Sequence, residues 1–114
     1  MNFDFKDTKI YIKPGTLDFR TSKDSLINSI ENIMNKDPMS GAVFIFCNGS
    51  RTILKLVWWE RNGFWIAHKK LEKGRWPWPA TKKEVQSLTE EEIKLFLRGV
   101  DVFHRHEEIL LKKL

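Results

Sequence analysis

Between residues 42 and 70 three strand-forming runs follow one another with only short turn sequences between them, and that spacing leaves little choice of fold. Ala42–Cys47, AVFIFC, is continuously apolar and rich in β-branched and aromatic side chains, the pattern of a central strand buried on both faces. Asn48-Gly49 comes next, the dipeptide best suited to a type I′ turn with positive φ at both positions. Thr52–Trp59 is the return strand, Arg61-Asn62-Gly63 the next turn, and Phe64–Lys70 a third strand closed by Leu71–Gly74. Connections this short join antiparallel neighbours, so the three runs predict a β-meander.

The flanks supply the remaining elements. Thr8–Lys13 alternates polar and apolar side chains and ends at Pro14-Gly15, which predicts a half-buried strand and a turn. Leu17–Arg20 reads as a connector or short strand. Lys23–Asn35 changes period: Leu26, Ile27, Ile30, Ile33 and Met34 form one helical stripe, with Ser22 or Asp24 at its start and Asp37-Pro38 closing it. Downstream, Thr89-Glu90-Glu91-Glu92 is a capping box for a helix carrying Ile93, Phe96 and Leu97 and stopping at Gly99. Val102–Leu114 has the spacing of a last amphipathic helix, and a frayed tail or a segment pairing with another chain fits it equally. The expected class is α+β: an antiparallel β-meander packed with a helix from the N-terminal half and one or two C-terminal helices.

A chain of 114 residues, 41% apolar and 31% charged, is expected to form one domain over 1–114 around a single core. One cysteine, Cys47, excludes an intramolecular disulfide and fits a reducing cytoplasm. No run has the length of a signal peptide's apolar core or approaches the roughly 20 apolar residues of a membrane span. The expected location is therefore cytoplasmic, with no membrane partner.

Catalytic constellations are absent from the pattern. His104 and His106 with Glu107 and Glu108 lack zinc-site spacing, and on a helix the two imidazoles point about 200° apart. The carboxylates Asp18, Asp24, Glu60 and Glu72 do not group as a two-metal site would require. Cys47 ends an apolar strand and reads as an inert thiol. Without a phosphate-binding loop or dinucleotide fingerprint, no cofactor, no metal and no enzymatic activity are expected.

What remains is charge and aromatic surface. All five tryptophans fall in residues 58–79, and Arg51–Lys83 carries a net charge of +7, more than the +5 of the whole chain. Lysine and arginine neutralise phosphates while indoles stack on bases, so the window points to an anionic, nucleic-acid partner. Alternate strand residues such as Leu54, Leu56, Trp58, Phe64 and Ile66 equally suit a core face. Arg75-Trp76-Pro77-Trp78-Pro79 cannot be a central strand, because its prolines remove ladder donors. An extended arm would set both indoles on one side, either clamped onto the domain's own sheet or offered as a stacking platform beside Lys73 and Arg75.

The same residues carry a family resemblance. Gly41–Phe46, Leu54–Trp59, Asn62-Gly63-Phe64-Trp65 and Lys70-Leu71-Glu72-Lys73-Gly74-Arg75-Trp76-Pro77-Trp78-Pro79 are similar to the TnpB accessory protein of the insertion sequence sixty-six family. Tyr11-x-x-Pro14-Gly15-x-x-Asp18-Phe19-Arg20 and Leu88-Thr89 … Leu97-x-Gly99-Val100-Asp101 match as well, so the likeness runs from about Lys9 to Asp101. It implies an accessory role in DNA transposition beside a separate transposase, and brings no catalytic residues. Where relatives often have a basic stretch at the first hairpin, this chain has Cys47-Asn48-Gly49-Ser50-Arg51, and Ser22 and Ser25 stand where glycines are common. The expected nucleic-acid contacts are Arg20, Arg51, Lys55, Arg61, Lys69, Lys70, Lys73, Arg75, Trp76 and Trp78, with Arg20 and the Lys69–Trp78 region foremost. The expected partner is DNA. The alternative is a protein-interaction module docking on the transposase or another element-encoded subunit through the Trp76–Pro79 arm or the tail.

Overall fold

A computed structural model describes residues 8–20, 23–89 and 91–93. Its order is β1 (Ile10–Ile12), α1 (Lys23–Asn28), a π-helical turn (Ser29–Ile33), β2 (Val43–Cys47), β3 (Ile53–Glu60), β4 (Gly63–Lys70) and α2 (Lys82–Gln86). The strands form one sheet in the order β1-β2-β3-β4, and the class is α+β. No described helix is long and apolar enough to cross a membrane.

The meander lies where the turn signals put it. β2 pairs antiparallel with β3 (Phe44 opposite Val57, Cys47 opposite Leu54), and β3 with β4 (Ile53 opposite Lys70 through Glu60 opposite Gly63). Every residue of β2 is buried, as its unbroken apolar run requires. The first turn, however, is not type I′, since neither Asn48 nor Gly49 has positive φ. The Arg51 N–H bonds to the Asn48 carbonyl at 3.0 Å, and Arg51 takes the left-handed conformation at φ 60°. The Asn48 side chain explains the change: its Oδ1 accepts from the Thr52 and Ile53 N–H groups at 2.9 and 3.0 Å, closing a five-residue loop.

β1 adds a parallel strand beside the antiparallel meander. It pairs parallel with β2, Ile10 opposite Val43 and Ile12 opposite Ile45, because α1 carries the chain back across the sheet between them. The predicted 23–35 helix is also interrupted. The Met34 N–H bonds to the Ser29 carbonyl at 3.0 Å, a five-residue reach that widens the helix and shifts its stripe. Leu26 and Ile30 stay buried while Ile33 swings out to 58% exposure.

The sheet has a core on each face. Phe44, Phe46 and Val57 meet Leu26 and Ile30, while Ile12, Val43, Ile45, Cys47, Leu54 and Leu56 are covered by Trp76, Trp78 and Ile93. Ile93 is held by the predicted capping box: the Glu92 N–H donates to Thr89 Oγ1 and the Thr89 N–H to Glu92 Oε1, both at 3.1 Å. The continuation through Phe96 and Leu97 to Gly99, the 102–114 tail, both tail histidines and Ser22 lie outside the described residues. α2 is a helix the hydrophobic pattern missed, yet Thr81 caps it at Glu84 N–H (3.2 Å) and Glu84 reaches back to Ala80 N–H (3.0 Å). Thr81-x-x-Glu84 was legible as a second cap.

Candidate nucleic-acid interface

The basic candidates converge because three loops meet at one end of the sheet. Leu17 N–H bonds to the Cys47 carbonyl (2.8 Å), Leu71 N–H to that of Thr52 (2.8 Å), and Trp76 N–H to that of Arg51 (2.7 Å). These bonds tie the 16–20 loop, the Asn48–Thr52 turn and the exit from β4 into one rim. Arg20, Arg51, Lys73 and Arg75 belong to these loops and Lys55, Lys69 and Lys70 to the strand ends beside them, with Lys55 and Lys70 on one face of the sheet and Lys69 on the other. A shallow groove lined by Asp18, Phe19, Arg20, Asn48, Gly49 and Ser50 runs between the first two loops. Lys55 Nζ sits 4.7 Å from the centre of the Phe19 ring, and Lys55 is directly opposite the exposed His68. Lys70, Lys73 and Arg75 are exposed, and Glu72 is the acidic residue among them.

Arg61 does not join this group. It forms the β3–β4 turn at φ 55°, at the opposite end of an eight-residue strand, about 23 Å away. Arg20 joins it with its charge already engaged. Its guanidinium grips both Asp18 carboxylate oxygens, Nη2 to Oδ2 at 2.8 Å and Nε to Oδ1 at 3.0 Å. The Arg20 hydrogen bonds hold the Asp18 carboxyl down at about 2 and raise the arginine's own value. A depressed carboxyl stabilises the fold above its ordinary range and loses that contribution as pH falls through about 2; both groups are exposed, so the effect on stability is small. Nuclear magnetic resonance titration of the Asp18 carboxyl should give a midpoint near 2 in the wild-type chain, returning towards 3.8 in Arg20→Ala. An unmoved midpoint would show that the pair does not form in solution.

Trp76 and Trp78 are the clearest correction to the sequence reading. They do share one side, but that side is the core: Trp76 is 1% exposed and Trp78 8%. The Trp78 indole N–H donates to the Lys13 and Gly15 carbonyls at 3.0 and 2.8 Å, and the Gly15 N–H bonds to the Pro79 carbonyl at 2.9 Å. Pro77 bends the arm, with the Trp78 N–H reaching the Trp76 carbonyl at 2.9 Å. Pro14-Gly15 and the Trp-Pro-Trp-Pro run are thus two halves of one latch across the sheet. Lys69 Nζ lies 5.5 Å above the Trp76 ring, so the indole supports an interface lysine and stacks on no external base. The two indoles are equally withdrawn from the surface that a docking partner would meet.

Among the described residues the exposed large aromatic is one that the expected contacts did not include. Trp65 is 51% exposed, directly opposite Trp58, with ring centroids 6.3 Å apart and planes 23° from parallel. Alternation puts it on the same face as Ala67 and Lys69. The latch crosses that face at the Arg51 end and leaves the turn end open. No sequence signal marks this, because exposure depends on where a segment distant in sequence comes to rest.

Catalytic alternatives find no grouping. Among the described residues no three His, Cys, Asp or Glu side chains gather as a metal site. Cys47 is fully buried, and desolvation pushes its thiol up to about 12 against the opposing pull of Arg51. Alkylation of the native protein at pH 8 should run slower than for a free thiol by about two to three orders of magnitude, and match it once the chain is denatured. Rapid labelling of the native thiol, followed by mass spectrometry, would contradict that burial.

Two uncharacterized proteins of Sinorhizobium fredii are similar to this chain over most of their length. The first, y4hO, is 26% identical over 102 residues, covering 90% of this chain and 89% of its own. The second, y4jC, is 26% identical over 93 residues, covering 82% and 80%. No solved structure gives a significant match. The family model described as IS66 Orf2 like protein matches residues 8–107, a span that takes in every described residue, and the chain belongs to that family of insertion-sequence accessory proteins.

Proposed function

We propose that the protein is a non-catalytic accessory factor that assists transposition of its insertion sequence by binding DNA through the basic rim of its sheet. The family supplies the association with a mobile element. The DNA-binding reading rests chiefly on one observation: lysines and arginines from two separated segments (Arg51 and Lys55; Lys69, Lys70, Lys73 and Arg75) come together at one end of the sheet beside the Arg20–Asp18 pair. Concentrated positive charge held on a rigid sheet is what backbone phosphates recognise, and it needs no base contact to bind. The buried latch fixes the rim's shape, since Trp76 lies beneath Lys69 and its N–H is tied to Arg51. Fluorescence anisotropy with a labelled duplex at low salt is the direct test, and reversing the rim charges should remove the binding. A folded wild-type chain that leaves duplex DNA unbound at low salt would overturn the reading.

A further inference from the structure

We infer that Trp65 is a stacking site for an unpaired base of DNA, placed at the far end of the same sheet edge from the basic rim. The inference rests on the DNA-binding reading and adds the kind of DNA preferred. Trp65 sits two rungs from the β3–β4 turn, with one ring face towards Trp58 and half its surface in solvent. Trp58 is itself packed against the buried cluster beneath it, so the pair forms a short anchored stack. The Trp65 indole N–H donates to Glu60 Oε1 at 3.3 Å, which fixes the ring's orientation and leaves its π-face uncommitted.

The surrounding charge says which ligand the ring suits. Glu60, bonded to the indole N–H, disfavours a phosphate at the ring edge and Arg61 in the adjoining turn offsets part of that charge, whereas Lys69, on the same face four residues along β4, attracts a phosphate about 13 Å away. A strand gripped by its backbone at the rim would therefore reach Trp65 with a base. Bases inside a duplex are already stacked and paired, so only an unpaired one can add itself to the Trp58–Trp65 pair. DNA with a frayed or single-stranded extension offers that base, and blunt duplex does not.

Three labelled ligands separate the possibilities: a blunt duplex, the same duplex with a three-nucleotide single-stranded extension, and the extension built from abasic sugar-phosphate. The wild-type chain should bind the extended duplex about tenfold more tightly than either of the others. Trp65→Ala, checked for folding by circular dichroism, should bring the extended-to-blunt ratio close to one. Trp65→Phe, which keeps an aromatic face with less disturbance, should leave an intermediate ratio. Equal gain from the abasic extension, or a ratio unchanged in Trp65→Ala, would overturn the stacking site while leaving DNA binding intact. Failure to bind any of the three would overturn the DNA-binding reading beneath it.

Discussion

Trp76→Ala is expected to destabilise the protein by about 3–5 kcal/mol, the largest effect of any single substitution considered. The indole is 1% exposed and packs from the latch onto the cluster around Cys47, Leu54 and Leu56, so its removal leaves a cavity that the arm, stiffened by Pro77, cannot readily collapse to fill. The backbone bond to the Arg51 carbonyl survives truncation, but the ring beneath Lys69 Nζ does not. Urea denaturation should show the midpoint displaced with little change in slope. A loss below about 1 kcal/mol would mean the arm is not packed as described. The comparison with Trp65→Ala is informative, because that half-exposed ring should cost the fold far less.

The second large effect is on binding. Changing Lys55, Lys70, Lys73 and Arg75 together to glutamate should lower duplex affinity at low salt by on the order of 10²–10³-fold. These side chains are partly or fully exposed and none packs in a core cluster, so near-native folding is expected. Arg61→Glu makes the contrasting control, because the turn that carries it lies at the other end of β3. Arg20→Glu should matter less than its charge suggests, since Asp18 already holds the guanidinium. Equal losses from the rim variant and from Arg61→Glu would point to net charge alone, with no organised interface.

The sequence made the meander legible because each strand announces itself locally: an unbroken apolar run for β2, alternation in β3, and glycine or asparagine at both turns. What it could not announce were pairings decided at a distance. β1 lies parallel to β2 only because α1 returns the chain over the sheet. The first turn's type follows from the Asn48 side chain bonding forward to Thr52 and Ile53, a choice the Asn-Gly dipeptide does not reveal. The π-helical turn that exposes Ile33 is invisible in a helical stripe that looks continuous. For the site, the basic residues could be enumerated but not grouped, and Arg61 separated from the rest only when the hairpin's length was known. The tryptophans were only partly legible: alternation placed Trp58 against the core, where it packs, but the proline-spaced arm left Trp76 and Trp78 open between a clamp on the sheet and a surface platform. The latch decides for the clamp, because Lys13 and Gly15 supply carbonyls that accept the Trp78 indole N–H, while nothing described crosses the sheet at Trp65.

The central claim is that phosphates are held by the rim, and the salt dependence of duplex binding tests it most directly. Each neutralised phosphate contributes about −0.9 to the slope of log affinity against log salt. The wild-type chain should therefore give a slope of roughly −4 to −6, falling close to zero in the Lys55, Lys70, Lys73, Arg75 variant, with folding of both checked in parallel. A shallow wild-type slope, or a steep one that the folded variant retains, would contradict the account.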